Sequence, residues 1–219
     1  MRSYDDPCGL ARALDLVGER WALLVVRELL LGPKRFADLR RGLPSVSQNV
    51  LSQRLRDLET AGVLRRRVLG PPADARTYEL TEHGRRLEPV LLELARWGSR
   101  TPLTSVAELS AGALVLALRT TFDQRAAAGM SATYELSLAG ELLRAEVADA
   151  SLEIARGRPE RADAVLRADV ATLRSLMFGG RALDDALRDG DIEVGGDRAA
   201  AERFLALFPR PALATAPPG

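Results

Sequence analysis

The chain has 219 residues, 47% of them hydrophobic, with 31 Lys or Arg against 30 Asp or Glu, a balance that excludes a disordered polyelectrolyte. A single cysteine excludes an intrachain disulfide framework and suits a reducing compartment. Thirty of the basic residues are Arg and one is Lys, a bias that reports genome composition, so the distribution of charge carries more information than its amount.

That distribution is uneven. Residues 1–100 hold eighteen basic and thirteen acidic side chains, whereas residues 101–219 hold thirteen and seventeen, so the two halves face different partners. The opening Met1-Arg2-Ser3-Tyr4-Asp5-Asp6 is polar and acidic rather than a basic run before an apolar core, and a cytoplasmic location is expected.

The first informative segment runs from Lys34 to Tyr78. Lys34 to Arg40 reads as a helix with Phe36, Leu39 and Leu43 inward, and Pro44-Ser45 as the turn after it. Ser47 is placed to cap a second helix beginning at Gln48, its hydroxyl accepting from a free N–H of the first turn. Leu51, Leu55 and Leu58 recur at i, i+4, i+7 and form its core stripe. The opposite face holds Asn49, Ser52, Gln53 and Arg56, side chains able to hydrogen-bond base edges or phosphates, although an amphipathic helix often has a polar face that is merely solvated. Gly62 ends the helix, and Val63 to Leu69 and Thr77 to Leu80 form a hairpin about a Gly70–Asp74 loop.

This order of elements is what a winged helix-turn-helix needs to set one helix in the major groove of double-stranded DNA. Between Lys34 and Arg76 stand ten Lys or Arg against four Asp or Glu, a suitable excess for a polyanion. Ser47, Gln48, Asn49, Ser52, Gln53 and Arg56 are assigned to base edges and nearby phosphates, Lys34, Arg35 and Arg54 to backbone positioning, and Arg76 to the minor groove or its flanking phosphates.

His83 stands alone, without the further ligands a metal site needs, and reads as a helix-start residue after a Thr81 cap; no metal or cofactor is expected. Arg100 to Thr104 is the expected domain boundary, giving a first domain over 1–100, a second over 101–209 and a mobile tail over 210–219. Ser105-Val106-Ala107-Glu108 has capping-box spacing, which predicts a helix from Ser105 that can extend to Ala128. It includes the apolar run Ala111 to Leu118, eight residues and far short of the roughly twenty that cross a bilayer.

Beyond Gly129 the period changes to two. Tyr134, Leu136 and Leu138, then Leu143, Ala145 and Val147 after a turn at Gly140, then Leu152 and Ile154, and finally Ala162 to Ala168 predict four strands of an antiparallel sheet with one wet face. Asp169 caps a helix with Val170, Leu173, Leu176 and Met177 inward, Gly179-Gly180 stops it, and another helix runs from Leu183 to Gly190. A short strand from Ile192 and a last helix through Phe204, Leu205 and Phe208 complete an α+β fold.

Cys8 to Leu14, Gly18-Glu19-Arg20-Trp21, Phe36 to Leu39, Leu51 to Glu59 and Tyr78-Glu79-Leu80-Thr81, in that order, resemble the HxlR family of bacterial winged-helix transcriptional regulators, with Arg20 where members often carry Lys. The resemblance covers residues 8 to about 100. It implies a homodimer on a pseudo-palindromic operator, built from the helices Leu10 to Gly18 and Glu82 to Trp97. Leu87, Val90, Leu91 and Leu94, at i, i+3, i+4, i+7, give the second of these an apolar face. It also raises a redox role for Cys8, beside the plainer reading of a small inert residue.

Leu173 to Leu176, Gly179 to Leu183, Gly190 to Asp197 and Phe204 to Phe208 are similar to the sterol-carrier-protein type-two fold, over about residues 105–208. This implies a hydrophobic small-molecule effector in an apolar tunnel lined by Leu136, Leu152, Ile154, Leu173, Leu176, Met177 and Phe204; the same residues suit a closed core equally well. The expected function is a regulator modulated by such a ligand. The rival is a lipid carrier without DNA-dependent function. An enzyme lacks support, since no Gly-rich phosphate loop is present and the single Cys and single His are far apart in sequence.

Overall fold

The computed structural model describes residues 3–69, 75–102, 105, 107–138 and 140–214. They are α+β and divide into two compact units, Met1–Leu91 and Leu92–Gly219.

The first unit runs α1 (Gly9–Val17), α2 (Ala22–Leu29), β1 (Lys34–Arg35), α3 (Phe36–Gly42), α4 (Gln48–Thr60), β2 (Leu64–Leu69), β3 (Ala75–Leu80), α5 (Glu82–Arg85) and the start of α6 (Glu88–Gly98). Its core joins Val25, Val26 and Leu29 of α2, Leu39 of α3, and Leu51, Leu55 and Leu58 of α4, all buried. The chain enters α2 through Trp21 at φ 80, a left-handed conformation rare for an aromatic residue, with the Arg20 guanidinium 5.0 Å from its ring centre. Ser47 Oγ accepts from the Val50 N–H at 3.3 Å, fixing the start of α4, and Gly62 at φ 68 lets the chain leave it.

β2 and β3 pair antiparallel from Leu64↔Leu80 to Leu69↔Ala75. The Gly70–Asp74 loop expected between them lies outside the described residues. Lys34 is not in a helix: with Arg35 it forms β1, paired with Tyr78 and Thr77, so that the free edge of β3 finds hydrogen-bond partners. The single helix expected over Glu82–Trp97 is two. Thr81 Oγ1 accepts from the Gly84 N–H at 3.0 Å to cap α5, and α6 restarts at Glu88 with Pro89, which has no N–H to donate, in its first turn. Gly84 is required there because a side chain would collide with the Val63 carbonyl.

The second unit holds the rest of α6, then α7 (Ala111–Thr121), β4 (Ala132–Leu138), β5 (Glu141–Ala148), β6 (Ser151–Arg156), β7 (Ala164–Ala168), α8 (Val170–Phe178), α9 (Leu183–Asp189), β8 (Ile192–Gly196) and α10 (Arg198–Ala206). The sheet order is β6-β5-β4-β7-β8. Three of its four pairings are antiparallel, as the alternation suggested, while β4 and β7 run parallel from Tyr134↔Ala164 to Leu138↔Ala168. Tyr134, Leu136, Leu138, Leu143, Ala145, Val147, Ile154 and Leu166 are buried on one face, and Arg144, Glu146, Glu153, Arg167 and Glu193 alternate onto the other.

The helix expected from Ser105 to Ala128 is shorter at both ends. Ser110 Oγ accepts from the Ala113 N–H at 3.0 Å and is the cap, whereas the Ser105 hydroxyl closes only a local turn with the Ala107 N–H. At the other end Phe122 turns extended and packs 6.2 Å from Phe208, and Asp123 starts a separate turn by accepting from Arg125 and Ala126. Phe204 lies 4.4 Å from Tyr134 and 5.1 Å from Phe208, ring centre to ring centre, which fills the space between sheet and α10. Burial pushes the Tyr134 phenol pKa up, and its hydroxyl has no hydrogen-bond partner among the described residues. Past Pro209, where the sequence suggested a mobile tail, the Ala214 N–H donates to the Arg100 carbonyl at 2.8 Å; residues 215–219 lie outside the described residues.

The β5–β6 hairpin, paired to Ala148↔Ser151, turns through Asp149 at φ 50 and Ala150 at φ 55, a two-residue turn that favours glycine. Ala150→Gly relieves the left-handed strain and is expected to stabilise the protein by about 1 kcal/mol, read as a higher urea midpoint with unchanged slope.

Candidate nucleic-acid interface

The leucine face of α4 is locked into the core, so its other face is turned to solvent. Ser47, Gln48, Asn49, Gln53 and Arg56 are exposed and Ser52 is half-buried. The face is internally bonded: Arg56 donates to Gln53 Oε1 at 2.7 Å, and Gln53 Nε2 donates to Asp57 Oδ1 at 2.7 Å. Its amide and guanidinium groups are therefore held in register, and each keeps further hydrogen-bonding capacity for a base edge or phosphate.

Two residues assigned to phosphate positioning are engaged elsewhere. Lys34 is 3% exposed and its Nζ donates to Glu28 Oε2 at 2.9 Å; Glu28 is itself 0% exposed. The sequence shows a basic residue ahead of a helix but not the buried carboxylate one helix earlier that takes it inward. Arg54 pairs through Nη1 with Asp57 at 3.1 Å and Glu19 at 3.6 Å, and its Nε is buried without a partner among the described residues, so it ties α4 to the segment before α2. Arg35 is exposed, and its backbone N–H donates to Asp38 Oδ2 at 3.2 Å at the start of α3. Arg76 is exposed on the wing, directly across from Val68.

The wing carries cations that were counted in the sequence but not singled out. Arg65 Nε lies 2.7 Å from Glu79 Oε1 and Arg67 Nη1 3.2 Å from Glu79 Oε2. Those two hydrogen-bonded guanidinium groups hold the Glu79 carboxyl below the usual carboxylate range, Arg65 contributing most. Arg66 alternates onto the other face, pairing with Glu59 of α4 at 3.0 Å and lying 5.9 Å from the Tyr78 ring centre. Period-two alternation through Arg65-Arg66-Arg67 was the available signal.

Of the apolar face expected on α6, Val90 and Leu94 are exposed, Leu87 just before the helix is half-buried and Leu91 is buried; Trp97 on the same helix is 72% exposed, and Leu10 and Leu14 are exposed on α1. Cys8 is exposed at the start of α1, its N–H donating to Asp6 Oδ1 at 2.8 Å. His83 lies in α5 behind the Thr81 cap.

In the second unit Leu176 and Met177 line a cleft of about 370 Å³ with Arg181, Leu183, Leu205 and Phe208. The other five residues expected along a tunnel do not line it. Leu136, Ile154, Leu173 and Phe204 are buried, Phe204 against the Tyr134 ring, and Leu152 is half-buried on β6.

A helix-turn-helix closed by a hairpin wing, with a polar, solvent-facing second helix, defines a winged helix-turn-helix domain. Residues 16–104 match the family described as HxlR-like helix-turn-helix, and residues 100–214 that described as alkyl sulfatase C-terminal. An uncharacterised HTH-type transcriptional regulator, YvaP of Bacillus subtilis, is 39% identical over 88 residues, 40% of this chain and 82% of its own. The redox regulator HypR in its oxidised form is 36% identical with a TM-score of 0.40, covering 44% of this chain and 100% of its own. The sec-alkylsulfatase Pisa1 from Pseudomonas sp. is 19% identical with a TM-score of 0.40, covering 42% of this chain and 15% of its own. The chain thus belongs to the HxlR-like helix-turn-helix transcriptional regulators through its N-terminal part, and carries a C-terminal part of the alkyl sulfatase C-terminal family.

Lys34→Ala removes the buried cation from Glu28 Oε2 and leaves the carboxylate only its outer partner Arg27, which is expected to cost about 3 kcal/mol in a denaturant titration, while the folded variant keeps the DNA affinity and salt slope of the parent.

Proposed function

We propose that the chain is a cytoplasmic transcriptional regulator that binds a pseudo-palindromic operator as a homodimer, one α4 per half-site. The observation that carries this reading is the outward face of α4, where exposed Gln48, Asn49, Gln53 and Arg56 are polar, with Arg56 and Gln53 hydrogen-bonded to each other, beside the cationic wing. Ser47, Gln48, Asn49, Ser52, Gln53 and Arg56 read base edges and adjacent phosphates. Arg35 contacts the backbone and Arg76 reaches the minor groove or its flanking phosphates.

The uncovered apolar side chains of α1 and α6 support the dimer, because water-exposed Leu10, Val90, Leu94 and Trp97 gain most by burial against a second copy. In this reading residues 1–100 bind DNA and dimerise, and 101–209 take a hydrophobic effector. The cleft beside Leu176 and Met177, apolar along Leu183, Leu205 and Phe208 with Arg181 and Glu202 also in its lining, supports an amphipathic ligand there rather than between sheet and helices. Such a ligand acts only by binding one dimer geometry better than the other, with a coupling of about 1–3 kcal/mol as the usual range. The reading assigns no catalysis to either part.

Genome-wide footprinting of the purified protein, with and without hydrophobic cell extract, tests the whole reading. Protected half-sites about one helical turn apart, or a multiple of it, are expected. Fluorescent-lipid transfer between vesicles with no protected DNA would replace it with the lipid-carrier reading. Arg56→Ala is expected to weaken operator binding about 10-fold or more while leaving random duplex nearly unaffected, measured by salt-matched gel shift. Trp97→Glu is expected to give a monomer in sedimentation velocity and to abolish operator binding at nanomolar concentration.

A further inference from the structure

We infer that Glu79 sets the specificity of DNA binding: its carboxylate restrains the Arg65 and Arg67 guanidinium groups on the wing and so limits their attraction for duplex of arbitrary sequence. The inference rests on the DNA-binding reading above and assigns a role within it to a residue that touches no base.

Arg65 and Arg67 are two apart on β2, so they share one face of the sheet, roughly 6.6–6.8 Å from each other along the strand. Glu79 stands directly across from Arg65 on β3. Each carboxylate oxygen takes one cation, Oε1 the Arg65 Nε at 2.7 Å and Oε2 the Arg67 Nη1 at 3.2 Å. The side chains of Arg65 and Arg67 are 66% and 55% exposed, but that of Glu79 is only 10% exposed. The anion is thus fixed at the base of the site and the cations reach outward from it.

Two consequences follow from that layering. The pair presents a net of one positive charge where the sequence suggests two, and sequence-independent affinity scales with the number of phosphates neutralised. Each guanidinium still has free N–H donors for phosphate oxygens, but only from the position the carboxylate dictates. Contacts to a correctly docked backbone are retained while loosely docked duplex loses attraction. Asp57 imposes the same restraint on α4, where it holds Arg54 directly and Arg56 through the Gln53 amide.

The test uses the full chain, a mixed-sequence duplex of about thirty base pairs and the operator from the footprint, with anisotropy read across a salt series for the parent, Glu79→Gln and Glu79→Gln/Arg65→Gln. Glu79→Gln is expected to bind the mixed duplex about 3- to 10-fold tighter at ~0.1 M salt, with the slope of log K against log salt steeper by about one, and operator affinity changing less. Adding Arg65→Gln is expected to remove the gain. Should glutamine at 79 fail to fold, Glu79→Thr, β-branched and suited to a strand, carries the same expectation. A folded Glu79 variant that binds the mixed duplex no more tightly than a DNA-binding parent overturns the role of Glu79 alone. A parent that binds no duplex even at low salt overturns the DNA-binding reading together with it.

Discussion

The first unit depends on a buried ion pair. Glu28 on α2 and Lys34 on β1 meet at 2.9 Å, with the Arg27 guanidinium 2.8 Å from the other carboxylate oxygen. Gly42, at the end of α3, leaves the room the carboxylate occupies; any side chain there would collide with it. One charge cluster thus joins α2, β1 and the end of α3, and through β1 reaches β3 of the wing. A buried pair of this kind adds little net stability over apolar residues, but losing one partner is costly, which gives the arrangement a geometric rather than energetic use. It fixes the strand that opens the helix-turn-helix relative to the helix behind it.

From that base the recognition helix is placed by hydrophobic burial and its polar face by what remains. Leu51, Leu55 and Leu58 leave α4 no freedom to rotate, so Asn49, Gln53 and Arg56 point outward by exclusion. Carboxylates then organise the cations. Asp57, Glu59 and Glu79 hold Arg54, Arg66 and the Arg65–Arg67 pair, and the excess of basic residues counted along this segment is smaller at the surface than in the sequence.

Much of this was legible in the letters, for local reasons. Ser47 and Gly62 bracket α4 because capping chemistry acts within a few residues, and the leucine spacing identifies its inward face. The strands of the second unit were visible as alternation from Tyr134 to Val147. What the sequence left out is what depends on partners distant along the chain. Nothing near Lys34 announces a buried Glu28. Nothing within Ala164–Ala168 says that it lies parallel to β4 rather than continuing the meander. The Ser105 capping pattern competed with Ser110, and it is the Ser110 hydroxyl that accepts from the first turn of the helix, while Ser105 bonds only the Ala107 N–H. Leu136, Leu173 and Phe204 suited a tunnel or a core equally; all three are fully buried, and Phe204 packs against Tyr134 and Phe208 at 4.4 and 5.1 Å.

The burial of Lys34 also has a chemical consequence. As the chain's only lysine, its ammonium is enclosed by protein, so the folded surface offers no lysine amine to an acetyl, methyl or ubiquitin donor. Charge-neutralising acylation, a common way of tuning cationic nucleic-acid surfaces, has no substrate here. Adjustment of affinity falls to the guanidinium–carboxylate contacts and to whatever binds the chain.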